Sequence, residues 1–264
     1  MHPFLNTIFP AVRKASQLIL AGFRDVKTLN VQEKGLYNYV THIDHQSEKI
    51  LVETIKKAYP SHAILAEESG GHTGEEYTWV IDPLDGTKNF VNGFPHFCVS
   101  IAIKSQERLE HALIYDPIRD ELFTASRGQG ARLNDHRIRV MENQPYQGAL
   151  LATAIPTTDK PYFSEYMKGF SKIYVHTSGL RCSGSAALNL AYVAAGRVGG
   201  HWEMGLAEWD IAAGALLVKE AGGFVSDFEG SEHFLQTGAV IAGAPKVFKG
   251  LLQSLHVPKA IVLE

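Results

Sequence analysis

The stretch Trp79-Val80-Ile81-Asp82-Pro83-Leu84-Asp85-Gly86-Thr87 runs an apolar segment into two carboxylates, a proline, a glycine and a hydroxyl. Proline fixes φ and has no N–H, so a strand is expected to end at Asp82-Pro83 and the chain to turn. Such a turn can aim Asp82 and Asp85 at one point and leave the Leu84 carbonyl free. The N–H groups of Gly86 and Thr87 and the Thr87 hydroxyl then lie close by. Oxygen ligands beside anion-binding N–H groups suit a divalent cation and a phosphate. An isolated Asp-Pro or Asp-Gly pair is usually an ordinary turn. The case for chemistry rests on further acids at the ends of apolar runs: Glu67 and Glu68 after residues 63–66, Asp210 ahead of residues 211–221, and Asp44 at the head of a helical pattern. If Glu67, Asp82, Asp85 and Asp210 converge, they cannot all stay ionised unaided, because carboxylates ~4 Å apart repel by several kcal/mol at intermediate dielectric. An all-oxygen set points to Mg²⁺ or Mn²⁺ rather than zinc. His42 and His45 are three apart but complete no compact zinc pattern.

The elements that must position these acids alternate between helix and strand signals. Leu5, Ile8, Phe9, Val12, Ala15, Ile19 and Phe23 recur as on one helix face. Asp44, a good N-cap residue, precedes a second helix with Ile50, Leu51, Ile55 and Ala58 on one side, ended by Pro60 and Ser61. Residues 63–66, 78–81, 97–103, 112–115 and 121–124 read as strands, with breaks at Gly70-Gly71, Gly86, Gly93 and Asp116-Pro117. Short turns between them predict an antiparallel sheet covered by the two helices. The pattern weakens over residues 141–149. A boundary there divides the chain into an N-terminal helix and antiparallel-sheet domain, 1–143, and a C-terminal α/β domain, 144–264, that completes the site. In the second part, 150–154, 199–204, 224–225 and 239–242 read as strands and 185–195, 209–221 and 246–255 as helices, with Gly222 closing the second of them.

With 264 residues, 45% hydrophobic and 20% charged, the chain has ordinary globular composition. A net charge of −3 gives no basic field for nucleic acid. Cys98 and Cys182 are too few for a disulfide scaffold or a cysteine-rich zinc site. GxxxxGK[ST], GxGxxG and GxSxG motifs are absent. No apolar run approaches the ~20 residues a membrane span needs, and the N-terminal pattern, interrupted by Arg13, Lys14 and Gln17, is no secretory signal. The expectation is a cytoplasmic protein.

Four ordered motifs resemble those of the inositol monophosphatase family. Asp82-Pro83-Leu84-Asp85-Gly86-Thr87 is similar to its first signature. Trp209-Asp210-Ile211-Ala212-Ala213-Gly214, continuing to Glu220-Ala221-Gly222-Gly223, is similar to its second. Glu67-Glu68-Ser69 and Val40-Thr41-His42-Ile43-Asp44, with Glu48 behind it, match the acidic motifs upstream. The likeness runs from about residue 5 to residue 250 and is nearest the bacterial inositol-1-monophosphatases, through Asp116-Pro117, Glu121 to Ala125, Gly184 to Ala187 and Ala191 to Arg197. It implies a layered αβαβα sandwich of the fructose-bisphosphatase-like sugar phosphatase type and Mg²⁺-dependent, lithium-sensitive hydrolysis of myo-inositol monophosphate. Carried onto this chain, Glu67, Asp82 and the Leu84 carbonyl hold one metal, and Asp82, Asp85 and Asp210 a second. Thr87 and Glu67 orient the attacking water, with Asp44 as proton acceptor. Asp85, Gly86, Thr87, Ser185, Ala186, Glu203 and Asp210 contact substrate. The metal motif reads phosphate rather than the leaving group, so another sugar phosphate, a bisphosphorylated nucleotide or a histidinol-type phosphate stays open. The resemblance also implies a homodimer and a role beside RNA polymerase or antitermination factors. Lys88 and Cys182-Ser183 depart from the commoner family pattern.

Overall fold

The structure, a computed structural model, describes residues 1–26, 31–35 and 38–255. Its outer layer is a helix pair, α1 (Pro3–Arg24) and α2 (His42–Ala58); the strands β1 (Val31–Gly35) and β2 (Asn38–Thr41) lie between them in sequence. In α1 the expected face holds: Leu5, Ile8, Val12, Ala15 and Ile19 are buried, and Phe9 and Phe23 half-buried. In α2 the expectation needs correcting. Thr41 is the N-cap, and Asp44 sits inside the first turn, where it closes a capping box by accepting the Thr41 N–H at 2.9 Å. Ala58 is exposed and Ile50 half-buried; the buried face instead carries Ile43, Asp44, Ser47, Glu48, Leu51 and Ile55. That face is partly polar, so apolar periodicity alone set it askew.

The helix pair lies on an eight-stranded sheet of β3 (Ala63–Ala66), β4 (Gly70–His72), β5 (Tyr77–Asp85), β6 (Cys98–Ser105), β7 (Arg108–Asp116), β8 (Glu121–Ser126), β9 (Gly130–Leu133) and β10 (His136–Ile138), in the order β10-β9-β8-β7-β6-β5-β3-β4. All neighbours are antiparallel except β3 and β5, which are parallel, so the sheet is mixed rather than wholly antiparallel. Gly70-Gly71, expected as a break, opens β4. Strand side chains alternate between two cores. Trp79, Ile81, Ile101 and Leu113 face α1 and α2, whereas Val80, Ala102, Ala112 and Ile114 face the interior of the sandwich. Pro83 does not end β5. Pairing with β6 resumes at Asp85 after a register shift between Asp82 and Asp85. A bulge takes up the residue that cannot donate, and it bends the strand so that its side chains are re-aimed.

Beyond the sheet edge come β11 (Leu150–Thr153), α4 (Phe163–Tyr174), β12 (Gly179–Arg181), α5 (Ala186–Ala194), β13 (Gly200–Met204), α6 (Glu208–Glu220), β14 (Phe224–Ser226), α7 (Phe234–Thr237), β15 (Ala239–Gly243) and α8 (Pro245–Ser254). A five-stranded sheet of order β12-β11-β13-β15-β14 faces the larger one. Helices α5 and α6 pack between the two sheets, and α4 and α8 cover the far side, giving an αβαβα sandwich. Residues 211–218 of α6 are all buried, as expected of a helix that is apolar all round and covered on both sides. Gly214 permits the approach of α5: a Cβ there would lie 2.4 Å from the Leu190 Cβ. Both helices begin at the cleft where the acids meet.

Candidate active site

Three of the expected acids converge. One carboxylate oxygen from each of Asp82, Asp85 and Asp210 lies within 4.8 Å of the other two. Asp82 and Asp85 flank the bulge at the end of β5, and Asp210 stands in the first turn of α6, capping it by accepting the Ala207 N–H at 2.7 Å. Glu67 follows β3, tied by its N–H to the Ile81 carbonyl at 3.2 Å. It stands outside the close trio, but its negative charge helps push Asp82 and Asp210 upward. Burial is the larger cause for both: it raises Asp82 well above the usual carboxylate range and Asp210 to about 8. Buried acids that destabilise each other's charged forms make a site for a hard cation, and the donor set, carboxylate oxygen throughout, fits Mg²⁺.

Asp85 is held from below. Its Oδ2 accepts from the Ser185 hydroxyl at 2.6 Å and the Ala187 N–H at 2.8 Å, with Ala186 contributing a further main-chain bond. The carboxylate therefore sits on the N-terminus of α5, where the helix dipole favours negative charge. These bonds oppose burial, which otherwise raises Asp85. Ser185 and Ala186, expected on the substrate side, are thus engaged with an acid of the trio. Cys98 Sγ, 3.8 Å from Asp85 Oδ2, completes the pocket beneath it.

The hydroxyl half of the site is equally built. Thr87 Oγ1 lies 2.9 Å from the Leu84 carbonyl and 3.1 Å from Asp44 Oδ1, so its one proton has two acceptors. Burial raises Asp44, while the Thr41 N–H and hydroxyl, at 2.9 and 2.7 Å, and the Thr87 hydroxyl oppose that rise. Ser47 anchors the Pro83 carbonyl at 3.0 Å, tying α2 to the bulge. Gly86 adopts φ of +96°, and a Cβ there would come within 3.0 Å of the His96 carbonyl. Only glycine turns the chain so that α3 (Thr87–Val91) starts over the acids. Glu203, on β13, has its carboxyl raised well above the usual range by burial first and then by the charges of Asp210 and Asp85. That places it at the same cleft.

Glu48, part of the upstream acidic motif, accepts the Glu68 N–H at 2.7 Å and fixes the turn after β3. Two further supporting groups carry no signal in the sequence. Asn89 donates to the His96 and Ser183 carbonyls, both at 2.7 Å, and so ties the loop ahead of α5 to α3. Lys104 of β6 meets Glu208 of α6 at 2.7 Å, beside Asp210 in the sequence. Each is an ordinary polar residue whose partner is remote in the chain, so no local pattern marks it.

Comparison with known proteins places this geometry. The model of the inositol monophosphatase family matches residues 1–258. The chain is 49% identical to "Nus factor SuhB" of Pseudomonas aeruginosa over 99% of each protein, and 47% identical to that of Escherichia coli over 97% of each. Among solved structures, the extragenic suppressor protein suhB of Bartonella henselae superposes with a TM-score of 0.93 at 41% identity, covering 98% of this chain and 100% of that one. The inositol monophosphatase of Anabaena gives 0.83 at 36% identity, covering 97% of each.

Proposed function

The chain belongs to the inositol monophosphatase family, and we propose that it is a Mg²⁺-dependent phosphatase releasing inorganic phosphate from myo-inositol monophosphate. The convergence of Asp82, Asp85 and Asp210 carries the reading. Glu67, Asp82 and the Leu84 carbonyl would hold one metal, and Asp82, Asp85 and Asp210 a second. Bound there, the ions would supply positive charge for activating a water and steadying the leaving oxygen.

The remaining steps belong to the protein's own groups. Thr87 and Glu67 orient the attacking water. Thr87 is too weak a base to act alone, and Asp44, at 3.1 Å, accepts the proton that its hydroxyl passes on. The N–H groups of Gly86 and Thr87 hold phosphate oxygens. Glu203 accepts hydrogen bonds from substrate hydroxyls, a contact that discriminates strongly between leaving groups. Ser185 and Ala186 line that side while they hold Asp85 in place.

The same reading makes the enzyme lithium-sensitive, homodimeric and cytoplasmic; no helix among the described residues is long and apolar enough to cross a membrane. Its test is a phosphate-release panel at saturating Mg²⁺ comparing inositol monophosphate with other sugar phosphates, a bisphosphorylated nucleotide and histidinol phosphate. Inositol monophosphate is expected to give the highest kcat/KM, and a larger value for any competitor replaces it as substrate. A second role, as a partner of the transcription machinery, is favoured by the name Nus factor borne by relatives 47–49% identical over nearly the whole chain. Co-purification of RNA polymerase with the tagged chain tests it.

A further inference from the structure

Residues 201 and 203 lie on one face of β13, because alternate strand residues point the same way. His201 is fully buried, flanked on the neighbouring strands by Ala152 and Ala242, whose small side chains leave room for an imidazole. Neither ring nitrogen has a hydrogen bond of good geometry among the described residues. The nearest carboxylate oxygen is Glu203 Oε2, 3.5 Å from Nε2. A buried donor left unpaired is uncommon in folded proteins, and a phenylalanine would fill the same space without that cost. The histidine is therefore to be explained by the acid it faces. Burial lowers His201 to about 4, so at neutral pH the ring is uncharged and carries one N–H. A long glutamate side chain has rotamers to lose, and a fixed donor on one of its oxygens leaves the other presented to a ligand.

We propose that His201 is a positioning residue for Glu203: its Nε2–H donates to the Glu203 carboxylate and holds it facing the hydroxyls of the substrate. The proposal rests on the reading of Glu203 as the substrate-side acid. The rival arrangement directs an Nδ1–H at the main chain of Ala152 on the adjoining strand.

Two measurements decide it. In steady-state assays at saturating Mg²⁺, His201→Phe is expected to raise KM for myo-inositol 1-phosphate roughly five- to tenfold, the size of one lost hydrogen bond of ordinary net strength. The rise in KM for p-nitrophenyl phosphate, which has no hydroxyls to read, is expected to be several-fold smaller. His201→Gln, which keeps an N–H near the Nε2 position, is expected to recover most of the loss. Equal effects on the two esters, or no rescue by glutamine, mark His201 as structural packing and overturn the proposal. Independently of turnover, ¹⁵N-histidine NMR of the unmodified protein should show the Nε2–H tautomer for His201, with its shift moved by Glu203→Gln. An Nδ1–H tautomer overturns the pairing even where Glu203→Ala abolishes the preference for inositol phosphate. If Glu203→Ala leaves that preference intact, the substrate-side reading of Glu203 itself fails, and the proposal with it.

Discussion

At the scale of single residues, the account depends on carboxylates that are costly to bury together and useful for the same reason. Asp82 is assigned to both metals, so Asp82→Asn should lower kcat by at least ~10²-fold, the loss seen when one positioned electrostatic group is removed; turnover within a few-fold of the parent at saturating Mg²⁺ contradicts the assignment. The pH dependence follows from Asp210, whose carboxyl rises from 3.8 to about 8. A raised carboxyl favours the protonated folded state. Without a cation, its contribution to stability is full below the unfolded pKa and lost as pH climbs toward about 8. A cation that binds the carboxylate offsets that loss. The rise in Tm on adding Mg²⁺ should therefore grow between about pH 6 and about pH 8 in paired calorimetric scans, and a flat or shrinking gain contradicts Asp210 as a ligand. The acids of the trio were legible because each stands at one end of an apolar run, Asp82 and Asp85 after theirs and Asp210 ahead of its own, a signal that survives in one dimension. How they are held was not. Ser185, expected as a substrate contact, meets Asp85 across a hundred positions of chain, and the bond from the Glu68 N–H to Glu48 joins two separate elements.

At the scale of elements, α6 decides where Asp210 stands. Its first turn is fixed to the larger sheet by Lys104 and Glu208, a largely buried pair at 2.7 Å. Removing one partner of such a pair leaves an uncompensated charge and costs about 3–5 kcal/mol, whereas replacing both by apolar groups is often neutral. Lys104→Met should lower Tm and raise the Mg²⁺ concentration for half-activation several-fold, while Lys104→Met with Glu208→Met should regain most of the stability. Equal instability of single and double variants would sink this view of the pair. Helix crossing matters in the same way. A Gly214→Ala side chain would meet Leu190 at 2.4 Å and push α5 from α6, costing about 1–3 kcal/mol in urea unfolding. The elements legible in the sequence are those with one dominant signal, such as α6 with its apolar run and Gly222. Helix α4 was not read: its N-cap residue Tyr162 makes no side-chain cap, and Gly169 interrupts its middle. That glycine is there for packing, since a Cβ would lie 2.9 Å from Leu255, and packing leaves no trace in local sequence. The Pro83 bulge was misread for a related reason. Proline forbids one hydrogen bond, and whether the chain then turns or bulges is settled by the neighbouring strand.

At the scale of the whole molecule, the layers do one thing: they bring the bulge of the larger sheet and the first turns of α5 and α6 to a single cleft. A chain of net charge −3 has no overall field to draw in an anionic substrate, so the attraction must be local and supplied by cations on the acid cluster. The proposed homodimer should scatter light as about twice the 29.0 kDa chain mass at micromolar concentration; a mass of one chain contradicts the assembly. The cleft's dependence on metal is the central claim, and phosphate release from myo-inositol 1-phosphate tests it most directly. The protein is stripped with EDTA, assayed, then assayed again after Mg²⁺ is restored. The account predicts that activity falls to background on stripping and returns with Mg²⁺. Full turnover in the stripped enzyme would contradict it.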